Sequence, residues 1–132
     1  MSNVPGVRGS ETPAKRILIC DDEVTMRLLV RVVLTDEYEF NEAADGFQAL
    51  ELARRTKPDL VVLDVMLPGG DGLALLERLR ADPVLRDIPA IVLTASPDYE
   101  MAARTVGAER FFTKPFDPDE LRAAVKDLVV SQ

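Results

Sequence analysis

Several apolar stretches of the sequence end in polar residues whose side chains could take part in chemistry. Asp21 and Asp22 follow the first stretch, Asp64 follows the third, Thr94 ends the fourth, and Lys114 follows the fifth. Three carboxylates held close together repel one another, and one of them takes up a proton unless a cation lies among them. Oxygen ligands without histidine or thiolate favour a hard ion, and a shallow site with few acids suits hydrated Mg²⁺. If the fold brings these residues together, they predict a magnesium site.

Composition limits the classes of protein to which the chain can belong. Its 132 residues suit one domain, expected at residues 15–132 after a flexible tail of residues 1–14. The net charge of −7 argues against direct contact with nucleic acid. The sequence has no histidine and a single cysteine, Cys20, so a histidine-dependent catalytic triad, a disulfide within the chain and a cysteine-rich zinc site are excluded. No apolar run approaches the roughly 20 residues of a membrane span, and a cytoplasmic protein without membrane contact is expected.

Five short apolar segments alternate with amphipathic ones, which predicts βα units around a parallel sheet. The first, third and fourth segments are apolar on both faces and should be central, whereas the second and fifth carry polar residues that suit sheet edges. This pattern predicts the doubly wound order 2-1-3-4-5, in which ligands bind outside the carboxyl ends of the strands where the order reverses. The expected strands are Arg16–Cys20, Glu39–Ala43, Asp59–Asp64, Ile88–Thr94 and Glu109–Thr113.

Amphipathic segments predict five helices that cover this sheet. Two pairs of residues have the spacing of capping boxes and mark the starts of the second and fifth helices, namely Asp45 with Gln48 and Asp117 with Glu120. The expected helices, with their apolar faces, are Val24–Leu34 (Leu28, Leu29, Val32, Val33), Phe47–Arg54 (Phe47, Leu50, Ala53), a third with Leu73, Leu76 and Leu79, a weaker Asp98–Val106, and a fifth with Leu121, Val125 and Leu128.

The motifs at the predicted strand ends resemble those of a known family. The set comprises Asp21-Asp22, Asp64 with Pro68 and Gly72, Thr94, and Lys114-Pro115. It is similar to the receiver domain of two-component response regulators, over roughly residues 15–130. The resemblance implies a flavodoxin/CheY-like fold and a signalling switch, in which Asp64 accepts a phosphoryl group from a sensor histidine kinase or a histidine phosphotransfer protein. It implies a signalling domain that assists its own phosphorylation and dephosphorylation, and not an enzyme.

The resemblance also implies roles for the remaining residues. Thr94 and Lys114 would contact the phosphoryl oxygens, and Mg²⁺ would be held by Asp21, Asp22, Asp64 and the main-chain carbonyl of Met66. Movement of Thr94 toward the phosphoryl group would open space for Phe111, the aromatic switch residue. The surface of helix four, strand five and helix five would then change for an unidentified output partner, in a monomer or a phosphorylation-dependent dimer.

Simpler structural interpretations exist for each residue. Asp21 and Asp22 could be N-cap acids of a helix, Asp64 could be an ordinary turn residue, and Lys114 could be a solvated surface lysine. Phe111 and Phe112 alternate along an edge strand, so one of them should be core, and Phe112 is the better candidate. Among relatives of the resembled family, many have Tyr in place of Phe111 and a polar residue in place of Met66.

Rival functions make different demands on the sequence. A Mg²⁺-dependent phosphohydrolase with an aspartyl-phosphate intermediate, of the haloacid-dehalogenase type, has a second acid two residues after the nucleophile, where this chain has Met66. A flavin-binding flavodoxin-like module needs a Ser/Thr-rich phosphate loop where this chain has Asp21-Asp22-Glu23. A degenerate receiver that only docks would not need the complete acid, threonine and lysine set. Whether the receiver stands alone or is a fragment of a longer response regulator stays open.

Overall fold

The computed structural model describes residues 14–67 and 72–130, so the expected tail lies almost entirely outside the described residues, as does Pro68. Five strands alternate with five α-helices, and short 3₁₀ turns at Thr35–Glu37 and Pro97–Tyr99 follow α1 and precede α4. In chain order the elements are β1 (Arg16–Cys20), α1 (Val24–Leu34), β2 (Glu39–Ala43), α2 (Gly46–Thr56), β3 (Leu60–Leu63), α3 (Gly72–Ala81), β4 (Ala90–Thr94), α4 (Glu100–Val106), β5 (Arg110–Thr113) and α5 (Pro118–Val130).

The strands form one parallel sheet in the order β2-β1-β3-β4-β5, which confirms the predicted topology. In the pairing of β1 with β3, Cys20 lies opposite Leu63, so the two strands end level with each other. The main-chain N–H of Asp64 donates to the carbonyl oxygen of Cys20 at 3.0 Å, which extends the pairing one residue beyond the strands. This register brings the residues that follow β1 and β3 together at the point where the strand order reverses.

Burial agrees with the predicted places of the strands in the sheet. β3 and β4 are buried along their whole length, and β1 is buried except at Arg16, as strands covered on both faces must be. β2 and β5 are only partly buried and form the edges. Helices α2, α3 and α4 pack on one face of the sheet, and α1 and α5 pack on the other.

The predicted apolar face of α1 is wrong. Leu28 and Val32 are 59% and 65% exposed, and the buried residues are Val30, Val33 and Leu34. Apolar residues surround most of this helix, so their spacing fits more than one face, and packing against α5 selects the face that contains Val30. Leu29 of the predicted face is also exposed, and Val33 is the only member of that set that the core buries.

The predicted face of α2 is correct for Leu50 and Ala53 but wrong for Phe47, which is 75% exposed. Ala49 takes part in the buried face instead. The predicted cap of α2 is present. Asp45 accepts from the N–H of Gln48 at 2.8 Å, and the Gln48 side chain accepts in return from the N–H of Ala44.

Several element boundaries differ from the prediction by one or two residues. The strands β3, β4 and β5 begin at Leu60, Ala90 and Arg110, although the N–H groups of Asp59 and Glu109 still donate to carbonyl oxygens of the neighbouring strands, those of Arg16 and Ala90. α2 is longer at both ends than predicted, and the predicted start of α4 is a 3₁₀ turn capped by Ser96. Among the described residues, no helix has both the length and the apolar character needed to cross a lipid bilayer.

Gly72 allows α3 to begin directly against the end of β3. Its N–H donates to the carbonyl oxygen of Val65 at 2.8 Å. A methyl carbon built on Gly72 would overlap the carbonyl oxygen of Asp64 and lie 2.6 Å from the Cα of Val65. Because these are backbone atoms of the segment that carries Asp64, the segment would have to move.

We expect Gly72→Ala to lower the free energy of unfolding by about 2–3 kcal/mol, because overpacking against backbone strains the end of β3. Urea unfolding followed by circular dichroism measures the change. Ala81→Ser, an exposed change at the end of the same helix, should stay within about 0.5 kcal/mol of the unsubstituted protein. Equal stabilities for the two variants would contradict the close packing at Gly72.

Candidate functional site

Three carboxylates meet at the carboxyl edge of the sheet. Oxygen atoms of Asp21, Asp22 and Asp64 lie within 4.8 Å of one another. Asp21 and Asp64 are buried, at 4% and 7% exposure, whereas Asp22 faces solvent. The structure therefore brings together the acids that the sequence placed after two different strands.

Asp21 is held by its main chain and by its side chain. Its N–H donates to the carbonyl oxygen of Ala43 at 3.1 Å, and its Oδ1 accepts from the N–H of Glu23 at 3.0 Å. The N-cap of α1 is Glu23, whose side chain makes no capping hydrogen bond. The interpretation of Asp21 and Asp22 as N-cap acids is therefore wrong, and the turn they form before α1 leaves the second oxygen of Asp21 for other contacts.

Asp64 is carried to the edge by β3 and stays there through local bonds. Its Oδ1 accepts from the N–H of Met66 at 2.9 Å, so the carboxylate does take part in the turn, as the simpler interpretation expected. That bond uses only one of its oxygens. The Asp64 side chain is only 8% exposed, and Lys114 lies against it. The acid is therefore more covered than a residue in an open crevice would be.

Lys114 links the two buried acids. Its Nζ donates to Oδ2 of Asp21 at 2.7 Å and to Oδ2 of Asp64 at 2.8 Å, and its side chain is only 10% exposed. The interpretation of Lys114 as a solvated surface lysine is therefore wrong. Burial by itself would lower the pKa of Lys114, but the hydrogen bonds and charges of Asp21 and Asp64 outweigh burial and raise that pKa above its ordinary value.

The backbone at the end of β5 places this lysine. The N–H of Lys114 donates to the carbonyl oxygen of Thr94 at 2.8 Å, and the peptide bond between Lys114 and Pro115 is cis. β5 thus stays paired with β4 up to the residue whose side chain enters the acidic cluster.

Thr94 is fully buried at the end of β4, and within the described part of the chain its Oγ1 has no hydrogen-bond partner. A buried hydroxyl without a partner is uncommon, because water no longer compensates the missing bond. The register pairs Thr94 with Thr113 and Val92 with Phe111, so Thr94 and Phe111 lie on the same face of the sheet. Thr94 is therefore a hydroxyl donor without a partner at the carboxyl end of β4, on the same face of the sheet as Phe111.

Phe111 and Phe112 are both partly buried, on opposite faces of the sheet. Phe111 packs against the core on the side of α2, α3 and α4, and Phe112 packs on the side of α1 and α5. The sequence predicted that one of the two, and Phe112 rather than Phe111, is a core residue. Both are only partly buried, so this prediction is only partly correct.

Two further residues flank the cluster. Cys20 is fully buried, and its pKa is raised first by burial and then by the charge of Asp21, so it stays a thiol. The side chain of Met66 is 54% exposed beside the site. The role of its carbonyl group as a metal ligand stays a prediction.

An ion-pair network next to Asp21 was not foreseen from the sequence. Arg27 of α1 donates to the carbonyl oxygen of Asp21 at 2.6 Å and to Glu42 of β2 at 2.8 Å, and Arg31 donates to the other oxygen of Glu42 at 2.7 Å. Burial alone would raise the pKa of Glu42, but the two arginines together lower it. Arginines four residues apart on α1 were the available signal, although only the fold shows that they face β2.

The donor set suits a hard divalent ion. Asp21, Asp22 and Asp64 each offer a carboxylate oxygen, and among the described residues this is the group of acids close enough to share an ion. A buried hydroxyl and an ammonium lie at the neighbouring strand ends, and both can donate hydrogen bonds to anionic oxygens. The site can therefore hold a cation and the oxygens of an anion side by side.

We expect Lys114→Met to lower the free energy of unfolding by about 3 kcal/mol, because it leaves two buried carboxylates without their cation. Urea unfolding in the presence of a chelator measures the loss, and the exposed Lys126→Met on α5 serves as the matched control. Because the pKa of Lys114 is raised, its contribution is complete below the ordinary value of 10.5 and declines only as the pH rises past it. Equal stabilities for the two variants at pH 7 would contradict a structural role for the contact.

Comparison with known proteins agrees with this architecture. The chain is 40% identical over 115 residues to sporulation initiation phosphotransferase F of Bacillus subtilis (strain 168), and the alignment covers 85% of this chain and 91% of that protein. It is 40% identical over 116 residues to the phosphate regulon transcriptional regulatory protein PhoB of Escherichia coli (strain K12), covering 86% of this chain but 51% of PhoB. The chain thus spans about half the length of PhoB.

The fold also matches solved structures. A putative response regulator from Chloroflexus aurantiacus J-10-fl superposes with a TM-score of 0.85 at 34% identity, covering 89% of this chain and 99% of that one. The sequence model of the response regulator receiver domain matches residues 17–126, which include every residue of the site. The chain therefore belongs to the response regulator receiver domain family.

Proposed function

We propose that Asp64 is the phosphoryl acceptor of this receiver domain and that a sensor histidine kinase or a histidine phosphotransfer protein is the donor. The observation that carries the proposal is the contact of Lys114 with Asp64, and the unpartnered hydroxyl of Thr94 at the end of β4 supports it. A buried strand-end carboxylate beside a fixed ammonium and a free hydroxyl donor suits a phosphoryl group better than it suits a structural ion pair. The names of relatives, a phosphotransferase and a transcriptional regulatory protein, support the same class of function.

The transfer itself is a displacement at phosphorus. An oxygen of Asp64 forms a bond to phosphorus as the bond between phosphorus and the donor's imidazole nitrogen breaks, and that nitrogen keeps the electron pair. Lys114 offsets negative charge on the transferring oxygens, and Thr94 donates to one of them. The N–H of Met66 holds the carboxylate in place during the approach.

Mg²⁺ is the cofactor of the proposal, with Asp21, Asp22, Asp64 and the carbonyl oxygen of Met66 as its ligands. When bound, it neutralises charge on the phosphoryl group and on the acceptor. The exposure of Asp22 gives solvent and the ion access to a cluster whose other two acids are buried. The domain then assists its own phosphorylation and dephosphorylation and does not act on a separate substrate.

The signal is proposed to leave the site through Thr94 and Phe111. A new phosphoryl group carries a charge of about −1.5 to −2 and three strong acceptor oxygens, which draw the Thr94 hydroxyl toward it. Phe111 lies on the same face of the sheet and moves into the space that Thr94 vacates, which changes the surface formed by α4, β5 and α5. An output partner then binds the changed surface, either on a monomer or on a dimer that forms on phosphorylation.

A Mg²⁺-dependent phosphohydrolase is the less favoured function. Such an enzyme would use a second acid two residues after the nucleophile to protonate the leaving group. The structure has Met66 there, an apolar side chain that faces solvent.

The acceptor is tested by covalent mapping. We expect the protein to take up one phosphoryl group from a small phosphodonor in the presence of Mg²⁺, and reductive trapping followed by mass spectrometry should place it on Asp64. Asp64→Asn should lose the label, because an amide cannot act as the nucleophile, whereas the control Asp98→Asn should keep it. A label that persists in Asp64→Asn would contradict the proposal, and rapid release of phosphate from many organic phosphates would favour the hydrolase.

The switch is tested by the response of the two neighbouring phenylalanines to beryllium fluoride, which imitates the phosphoryl group. We expect NMR signals of the Phe111 ring to shift when the adduct forms, while those of Phe112, on the opposite face, change much less. Thr94→Val should still form the adduct but should leave Phe111 nearly unchanged. An adduct that shifts both rings equally, or neither, would rule out the proposed route.

A further inference from the structure

We propose that Arg27 is a positioning residue for Mg²⁺ binding, which it promotes by holding the main chain of Asp21 in place. The inference rests on the proposed function, because it concerns the affinity of the acidic cluster for its ion. Arg27 itself donates to protein groups and is not a candidate ligand.

The bond from Arg27 restrains Asp21, the residue whose position matters most to the site. Asp21 lies in the short turn between β1 and α1, and its N–H, its Oδ1 and its Oδ2 are already bonded to Ala43, Glu23 and Lys114. Arg27 bonds to its carbonyl group at 2.6 Å and so fixes the orientation of the following peptide, which leads into Asp22. Both carboxylates of this turn depend on that peptide plane.

Glu42 supports Arg27 from the edge of the sheet. It accepts from Nε of Arg27 through one carboxylate oxygen and from Arg31 through the other. The Arg27 side chain is 14% exposed, whereas that of Arg31 is 48% exposed. The two arginines thus share the same acid, but only Arg27 also bonds to the turn that carries Asp21.

Charge and geometry predict opposite effects when Arg27 is removed. A cation near the acidic cluster repels Mg²⁺, so loss of its charge alone would strengthen metal binding. Loss of the bond to Asp21 would instead loosen the ligands and weaken binding, as substitutions of residues that orient metal ligands do by about 10- to 100-fold. A weaker affinity after a positive charge is removed therefore reports on positioning.

The experiment compares Mg²⁺ affinity across matched variants of the full chain, by titration with MgCl₂ followed in amide NMR spectra. We expect Arg27→Met to raise the dissociation constant about tenfold. Arg31→Met removes an equal positive charge that pairs with the same acid, Glu42. It should leave the dissociation constant for Mg²⁺ within about twofold of that of the starting protein. Arg27→Lys keeps a charged donor and should recover part of the affinity. Glu42→Gln, which weakens the support of Arg27 without changing α1, should give a smaller loss and serves if Arg27→Met does not fold.

The outcomes separate this inference from the proposed function. If the starting protein does not bind Mg²⁺, the proposed function fails. If it binds Mg²⁺ and Asp21→Asn weakens binding, but Arg27→Met binds as well as Arg31→Met, only the positioning role fails. Unfolding curves recorded with a chelator show whether a variant has lost stability in general. A positioning role predicts that Arg27→Lys recovers Mg²⁺ affinity even if its stability stays below that of the starting protein.

Discussion

The ammonium of Lys114, bonded to Asp21 and Asp64, is the interaction on which the rest of the site depends. Two buried carboxylates at this separation repel strongly, and a third, Asp22, lies nearby. Lys114 offsets that repulsion from the end of β5, and it joins residues that are 93 and 50 positions away along the chain. The site therefore forms only when the ends of β1, β3 and β5 are in place in the sheet.

The fold supplies positions that no local motif could supply. Level strand ends bring Asp21 beside Asp64, and pairing of β4 with β5 brings Lys114 beside Thr94. Gly72 lets α3 pack against the backbone of Asp64 without displacing it. Each contact fixes a backbone segment, so the side chains enter the site with little freedom left to lose. This arrangement explains how acids that repel one another stay close together: the backbone holds them, and their cation is built in.

The sequence predicted the sheet order and the residues that meet at its edge, because both follow from local patterns. Strands apolar on both faces belong in the centre, and parallel strands place their carboxyl ends at one edge. The helix faces were harder to predict, as Leu28 and Phe47 show. Where apolar residues surround a helix, its rotation is decided by packing with its neighbours, and spacing alone does not carry that information.

The contacts that define the site were beyond prediction for a related reason. The ion-pair network joins α1 to β2 through Arg27, Arg31 and Glu42. It depends on the register of β1 with β2, which the sequence alone does not reveal. The unpartnered hydroxyl of Thr94 likewise becomes visible only when its surroundings are known. Residue types at strand ends thus predicted what the site contains, and the three-dimensional register determined how the residues are connected.

Whether this cluster holds a phosphoryl group on Asp64 can be seen in a crystal structure of the protein with Mg²⁺ and beryllium fluoride. We expect beryllium bonded to a carboxylate oxygen of Asp64, with fluorine atoms accepting hydrogen bonds from Thr94 and from Lys114. In that structure, Lys114 exchanges its bond to Asp64 for one to fluorine. An adduct on another residue, or Asp64 still paired with Lys114 and unmodified at saturating reagent, would contradict this expectation.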